Sequence, residues 1–166
     1  MCFARLLSNM EYAIQVAFEY NFSMTEFNFY HPIEVRYGDL DPQGHVNNAS
    51  YLTFMEQARI SYLRQLGLWV SESFLDVGVV MAEASVSFKV PIHWGQQLLI
   101  GVRTSRLGNK SMQLNQTFED AQSRQELAKG SVVLVAYDYH SERTIPIPEN
   151  WREIITTFEN LPIETK

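Results

Sequence analysis

Phe27 to Tyr37 sets aromatic and β-branched residues against polar ones, with Ile33, Val35 and Tyr37 two apart, which predicts a first strand. A polar stretch follows, Asp39-Leu40-Asp41-Pro42-Gln43-Gly44-His45-Val46-Asn47-Asn48-Ala49-Ser50-Tyr51. Pro42 fixes its own φ and turns Asp41 away from the α region, while Gly44 permits positive φ, so the chain must bend here. From Tyr51 the apolar spacing changes to three and four: Leu52, Met55, Ala58, Tyr62, Leu63 and Leu66 form the stripe of a helix of about five turns at roughly 3.6 residues each. Phe54, Ile60 and Leu68 widen that stripe, leaving Thr53, Glu56, Gln57, Arg59, Ser61, Arg64 and Gln65 as the polar side. Gly67 is its expected stop.

Gly78 to Ile92 returns to a period of two. Val80, Ala82, Ala84, Val86, Phe88 and Val90 are expected on one face, with Glu83, Ser85, Ser87 and Lys89 on the other, and Pro91 as the break. Gln97 to Leu107, a Gly108-Asn109 turn, and a strand alternating Met112, Leu114, Gln116 and Phe118 predict an antiparallel pair. A turn at Asp120 to Arg124 leads to a last strand over Leu127 to Tyr139. Glu149 to Glu159, with Trp151, Ile154, Ile155 and Phe158 on one side, reads as a short amphipathic helix. Strand, long helix, then consecutive strands joined by short turns is an α+β pattern. Its economical packing is an antiparallel sheet of about five strands curled around one helix.

Composition narrows the class. A chain of 166 residues, 46% hydrophobic and 13% aromatic, can bury a substantial core. A formal net charge of −6 argues against a general nucleic-acid or anionic-membrane binder. The single cysteine, Cys2, excludes an internal disulfide and a cysteine-based zinc site, and fits a cytoplasmic protein. There is no apolar run of about 18 residues to cross a membrane. Residues 1–23 carry neither a secretory nor an organellar signature. We read them as an N-terminal extension, with Met24 as the natural start and 24–166 as one domain.

The chemistry gathers between residues 39 and 51. Asn47, Asn48 and Ser50 are good N-caps, so a helix N-terminus with free N–H groups is aimed back at a turn that carries a carboxylate and an imidazole. The segment Val35-Arg36-Tyr37-Gly38-Asp39-Leu40-Asp41-Pro42-Gln43-Gly44-His45-Val46-Asn47-Asn48-Ala49-Ser50-Tyr51, followed by Phe54-Met55-Glu56-Gln57-Ala58-Arg59, resembles the hot-dog-fold thioesterases of the 4-hydroxybenzoyl-CoA thioesterase-like branch. Asp41 and Gly44 stand where that family has its aspartate and glycine ahead of the central helix. Pro91 and Gly95 match its later proline and glycine. Residues 41–48 also resemble the motif of plant acyl-ACP thioesterases, with Gln43 in place of an asparagine.

The resemblance implies hydrolysis of an acyl-CoA, or alternatively an acyl-ACP, to a free acid and a thiol, without cofactor or metal. A non-hydrolytic acyl-thioester-binding protein is the alternative class. It also implies a homodimer or homotetramer, with sheets joined edge to edge. Asp41 is the expected base or nucleophile, although an isolated Asp-Pro is ordinarily an Asx-turn. The N–H groups around Val46, Asn47 and Asn48 are the expected oxyanion donors. His45 is either a proton carrier or hydrogen-bond donor to the thioester, or a turn histidine that only orders the loop. Asp39 is assigned to the turn alone. Gly44, Asn48 and Tyr51 are expected against the substrate, the acyl tail along Tyr51, Phe54 and Met55, and Lys89 and Arg106 near its phosphates. Glu56 is expected to pair with Arg59 three residues on. Glu83 is a weaker candidate for the acyl pocket. His31, His93 and His140 show no metal-ligand spacing.

Overall fold

A computed structural model describes residues 27–69 and 78–160, with the backbone of 164–165. The expectations for residues 1–23 and Met24 lie outside the described residues. Strand β1 (Tyr30–Glu34) leads into a 3-10 turn (Tyr37–Asp39) and helix α1 (Asn48–Gln65). Strands β2 (Val79–Phe88), β3 (Gln97–Leu107), β4 (Ser111–Asp120) and β5 (Glu126–Asp138) follow, then the two-residue β6 (Arg143–Thr144), α2 (Glu149–Glu159) and β7 (Glu164–Thr165). The main strands lie in the order β1-β3-β4-β5-β2, all antiparallel to their neighbours. The expected α+β sheet around one long helix is therefore present. The first strand is shorter than predicted, because Tyr37 enters the 3-10 turn, and the short β6 and β7 had no legible signal.

Tyr51, Phe54, Met55, Ala58, Tyr62 and Leu63 of α1 are buried against Leu98, Ile100 and Val102 of β3, Leu114 and Phe118 of β4, and Val132 and Leu134 of β5. Burying each large side chain is worth about 1.5–3 kcal/mol. Helix and sheet approach closely at Gly130, where a Cβ would sit 2.5 Å from Cε of Met55. The helix stops as expected. Gly67 adopts φ +70°, its N–H donates to Arg64 O at 2.9 Å, and Leu68 N–H donates to Leu63 O at 2.9 Å, a Schellman closure.

Two parts of the pattern come out differently. Arg59, expected on the polar side of α1, is 9% exposed, while Leu52 is 46% exposed. Leu52, Glu56 and Arg59, four and three residues apart, share one flank of α1, and the contact of Arg59 with Met81 sets that flank beside β2, an edge strand of the sheet among the described residues. Arg59 lies along that flank, with Nη1 3.7 Å from Sδ of Met81 and Nη2 bonded to Glu56 at 3.4 Å, the expected pair. In β2 the register shifts between Met81 and Glu83, leaving Ala82 as a bulge. Val79, Met81, Ala84, Val86 and Phe88 consequently pair with the inward-facing row of β5, whereas Val80 is turned to the outer face. No helix among the described residues is long and apolar enough to cross a membrane.

Candidate active site

Residues 39–47 fold as a miniature hairpin. Asn47 N–H donates to Asp39 O at 2.8 Å, Leu40 bridges Val46, and Asp41 N–H donates to His45 O at 2.8 Å. Pro42, Gln43 and Gly44 form the tip, with Gly44 at φ +80° and its N–H donating to Asp41 O at 3.0 Å. The hairpin is tied to the β2–β3 connection. Val46 N–H donates to Ile92 O at 2.8 Å, and His45 bridges His93, their rings edge to face with centroids 5.0 Å apart.

Asp41 does form the Asx-turn that Asp-Pro favours, but through one oxygen. Its Oδ1 accepts the N–H of Gln43 at 2.8 Å and of His45 at 3.2 Å. Its Oδ2 has no hydrogen-bond partner among the described residues. A carboxylate held by one oxygen with the other open is suited to take a proton or to attack a carbonyl carbon.

Asn47 is the N-cap of α1, its Oδ1 accepting the N–H of Ala49 at 2.9 Å. The three expected oxyanion donors do not survive together. Val46 N–H is spent on Ile92 and Asn47 N–H on Asp39, because the hairpin and its neighbour use them as rungs. The N–H of Asn48 has no acceptor among the described residues. It lies at the positive end of α1, where a developing negative charge is stabilised.

Asp39 is more than a turn residue. Only 6% exposed, its carboxylate accepts Arg36 N–H at 2.8 Å, Nε–H at 3.1 Å and Nη2–H at 2.9 Å. Those bonds from the guanidinium hold its carboxyl below the usual carboxylate range. Its main-chain oxygen also accepts the hydroxyl of Ser50 at 3.0 Å. The sequence reading missed this, although Arg36 three residues ahead of Asp39 was a visible signal.

The remaining candidates separate. Tyr51 is 3% exposed, packed between Phe118 and Phe88, and Phe54 and Met55 are equally buried, so in one protomer these are core residues. Lys89 follows β2 at the hairpin's end of the sheet and pairs with Glu126. Arg106 does not join it. Lys89 donates its N–H to Leu127, whose neighbour Ala128 pairs with Phe118 and through it with Ile100, whereas Arg106 is six residues further along β3, about 20 Å at about 3.3 Å per residue. Glu83 is exposed opposite Val133 on the outer face. Among the described residues no group of three or more His, Cys, Asp or Glu is placed to hold a metal ion.

A sheet curled on one long helix, with a carboxylate hairpin at the helix N-terminus, defines a hot-dog-fold thioesterase, a thioester hydrolase. The chain belongs to the Thioesterase-like superfamily, whose family model matches residues 35–155. The long-chain acyl-CoA thioesterase FadM of Escherichia coli strain K12 is 29% identical over 126 residues, covering 73% of this chain and 92% of that protein. The 1,4-dihydroxy-2-naphthoyl-CoA hydrolase of Thermosynechococcus vestitus is 28% identical over 118 residues, covering 69% of this chain and 80% of that one. Among solved structures, a thioesterase from Thermus thermophilus complexed with coenzyme A and Zn is 35% identical, covers 84% of this chain and 100% of that chain, and has a TM-score of 0.74.

Proposed function

We propose that this protein hydrolyses acyl-CoA thioesters to the free acid and CoA, with Asp41 as the reacting carboxylate. The observation that carries the reading is the split environment of Asp41, in which two N–H groups anchor Oδ1 while Oδ2 faces no partner among the described residues. The CoA carrier is supported by relatives named for acyl-CoA substrates.

Oδ2 either takes a proton from the attacking water or itself bonds to the acyl carbon. Both routes place negative charge on the thioester oxygen, where the Asn48 N–H and the dipole of α1 stabilise it. The C–S bond then breaks and the CoA thiolate leaves, to be protonated; in the water route this gives the free acid directly, and in the other it leaves an acyl–Asp41 anhydride that a water hydrolyses to the free acid and the restored carboxylate. Mass spectrometry of acid-quenched enzyme during turnover separates the routes, since an acyl group covalently held on Asp41, or heavy oxygen from labelled water built into its carboxylate, arises only when Asp41 attacks the acyl carbon.

The test is release of free thiol from a panel of acyl-CoAs. Asp41→Asn should lower kcat by about 10²–10⁴-fold. Undiminished turnover by that variant sinks the mechanism, and no turnover by the wild type on any acyl chain favours a non-hydrolytic binding protein.

We also propose that two copies join along β2. Its outer edge is unpaired among the described residues, and it exposes Met81 (53%) and Phe88 (51%) beside the α1 flank that holds Leu52 and Arg59. Sedimentation that finds only monomer at micromolar concentration would overturn this.

A further inference from the structure

We infer that Asp39 is a positioning residue, which through Arg36 and Ser50 sets where Asp41 stands relative to the Asn48 N–H. The inference rests on the role proposed for Asp41. Asp39 sits where three pieces of backbone meet: the 3-10 turn, the stem of the 39–47 hairpin and the first turn of α1.

Its carboxylate pins the first piece. The bond from Arg36 N–H closes the 3-10 turn upon itself, and the two guanidinium bonds make a planar fork that fixes the carboxylate's rotation as well as its place. Its main-chain oxygen pins the other two. That single oxygen receives the N–H of Asn47, the N-cap, and the hydroxyl of Ser50, in the first turn of α1.

The two proposed reacting groups then hang from one stem. Asp41 is two residues beyond Asp39 on one limb of the hairpin, and Asn48 directly follows Asn47 on the other. Any rotation of the peptide at Asp39 moves the two limbs differently, changing the separation of Oδ2 and the Asn48 N–H. A substrate carbonyl must meet both groups at once, so the loss should appear in the chemical step.

The side chain of Arg36 is 69% exposed, which permits a test that leaves the interior untouched. Asp39→Asn and Arg36→Gln should each lower kcat about 10- to 100-fold with KM within about twofold, and Arg36→Lys should recover part of the loss. Asp39→Asn with Ser50→Ala should cost less than the product of the single losses, because both act through one peptide. All are assayed below their melting temperatures. Should Asp39→Asn fail to fold, Arg36→Gln carries the test.

Asp41→Asn is measured alongside. If it loses turnover while both positioning variants keep kcat within about twofold of wild type, or lose only through KM, this inference fails alone. If Asp41→Asn keeps full turnover, the proposed mechanism fails and this inference with it.

Discussion

Glu159, in the last turn of α2, inserts its carboxylate into the edge of β3, where Oε1 takes the N–H of Thr104 at 2.7 Å and also accepts the hydroxyl of Tyr62. The contact supplies a missing rung. The β1–β3 ladder ends at Tyr30 opposite Gly101, with one more bond from Val102 N–H to Phe29 O, so the N–H of Thr104 would otherwise be buried unpaired. Glu159 is 1% exposed, and its Oε2 has no hydrogen-bond partner among the described residues.

Burial holds the Glu159 carboxyl above the ordinary carboxylate range, against the lowering effect of its bonds from Tyr62 and Thr104. The folded protein therefore binds this proton more tightly than the unfolded chain. The associated stability is fully present below the ordinary range and is lost as pH rises through the elevated one. Glu159→Gln keeps the shape and the acceptor without the charge. Thermal melts should find it close to wild type near pH 4 and more stable than wild type near pH 7. A gap that does not change with pH would count against the account.

Asn47 separates a cap from a reacting group. Asn47→Ala should cost about 1 kcal/mol in denaturant unfolding, since it deletes the bond to the Ala49 N–H. Asn47→Ser, a neutral cap, should restore most of that stability and keep kcat within a few-fold of wild type. If the amide takes part in the chemistry, Asn47→Ser will instead be stable and nearly inactive.

The two candidate cations are predicted to differ. Lys89→Ala, at the hairpin's end of the sheet, should raise KM for acyl-CoA by up to about fivefold, the worth of an exposed ion pair. Arg106→Ala should leave KM unchanged. Equal effects at both positions would place the substrate's phosphates differently.

At Gly130 an added side chain would have to displace the end of Met55. Gly130→Val should destabilise by about 1–3 kcal/mol, because the added atoms run into Sδ and Cε of Met55. Met55→Ala in the same chain should return part of the loss. Strict additivity in urea unfolding would show that the two do not compete for one space.

Local rules made much of this molecule legible in its order of residues. The change from a period of two to one of 3.6 at Tyr51, the stop at Gly67, the antiparallel pair on either side of Gly108-Asn109 and the amphipathic Glu149–Glu159 follow from periodicity, capping and turn chemistry, all of which act within a few residues. The resemblance over residues 35–59 carried the family as well. The tertiary structure decided what depends on partners distant in sequence. Ile92 and Asp39 consume the N–H groups of Val46 and Asn47 and leave that of Asn48, a pairing that no spacing could disclose. The bulge at Ala82 reverses the faces of Val79, Val80 and Met81 in β2, and on the flank of α1 beside it Arg59 is buried while Leu52 is exposed. Glu159 meets Thr104 across 55 residues because a strand ended early. Sequence proposes donors and faces from local geometry, while their availability is settled by whichever remote group reaches them first.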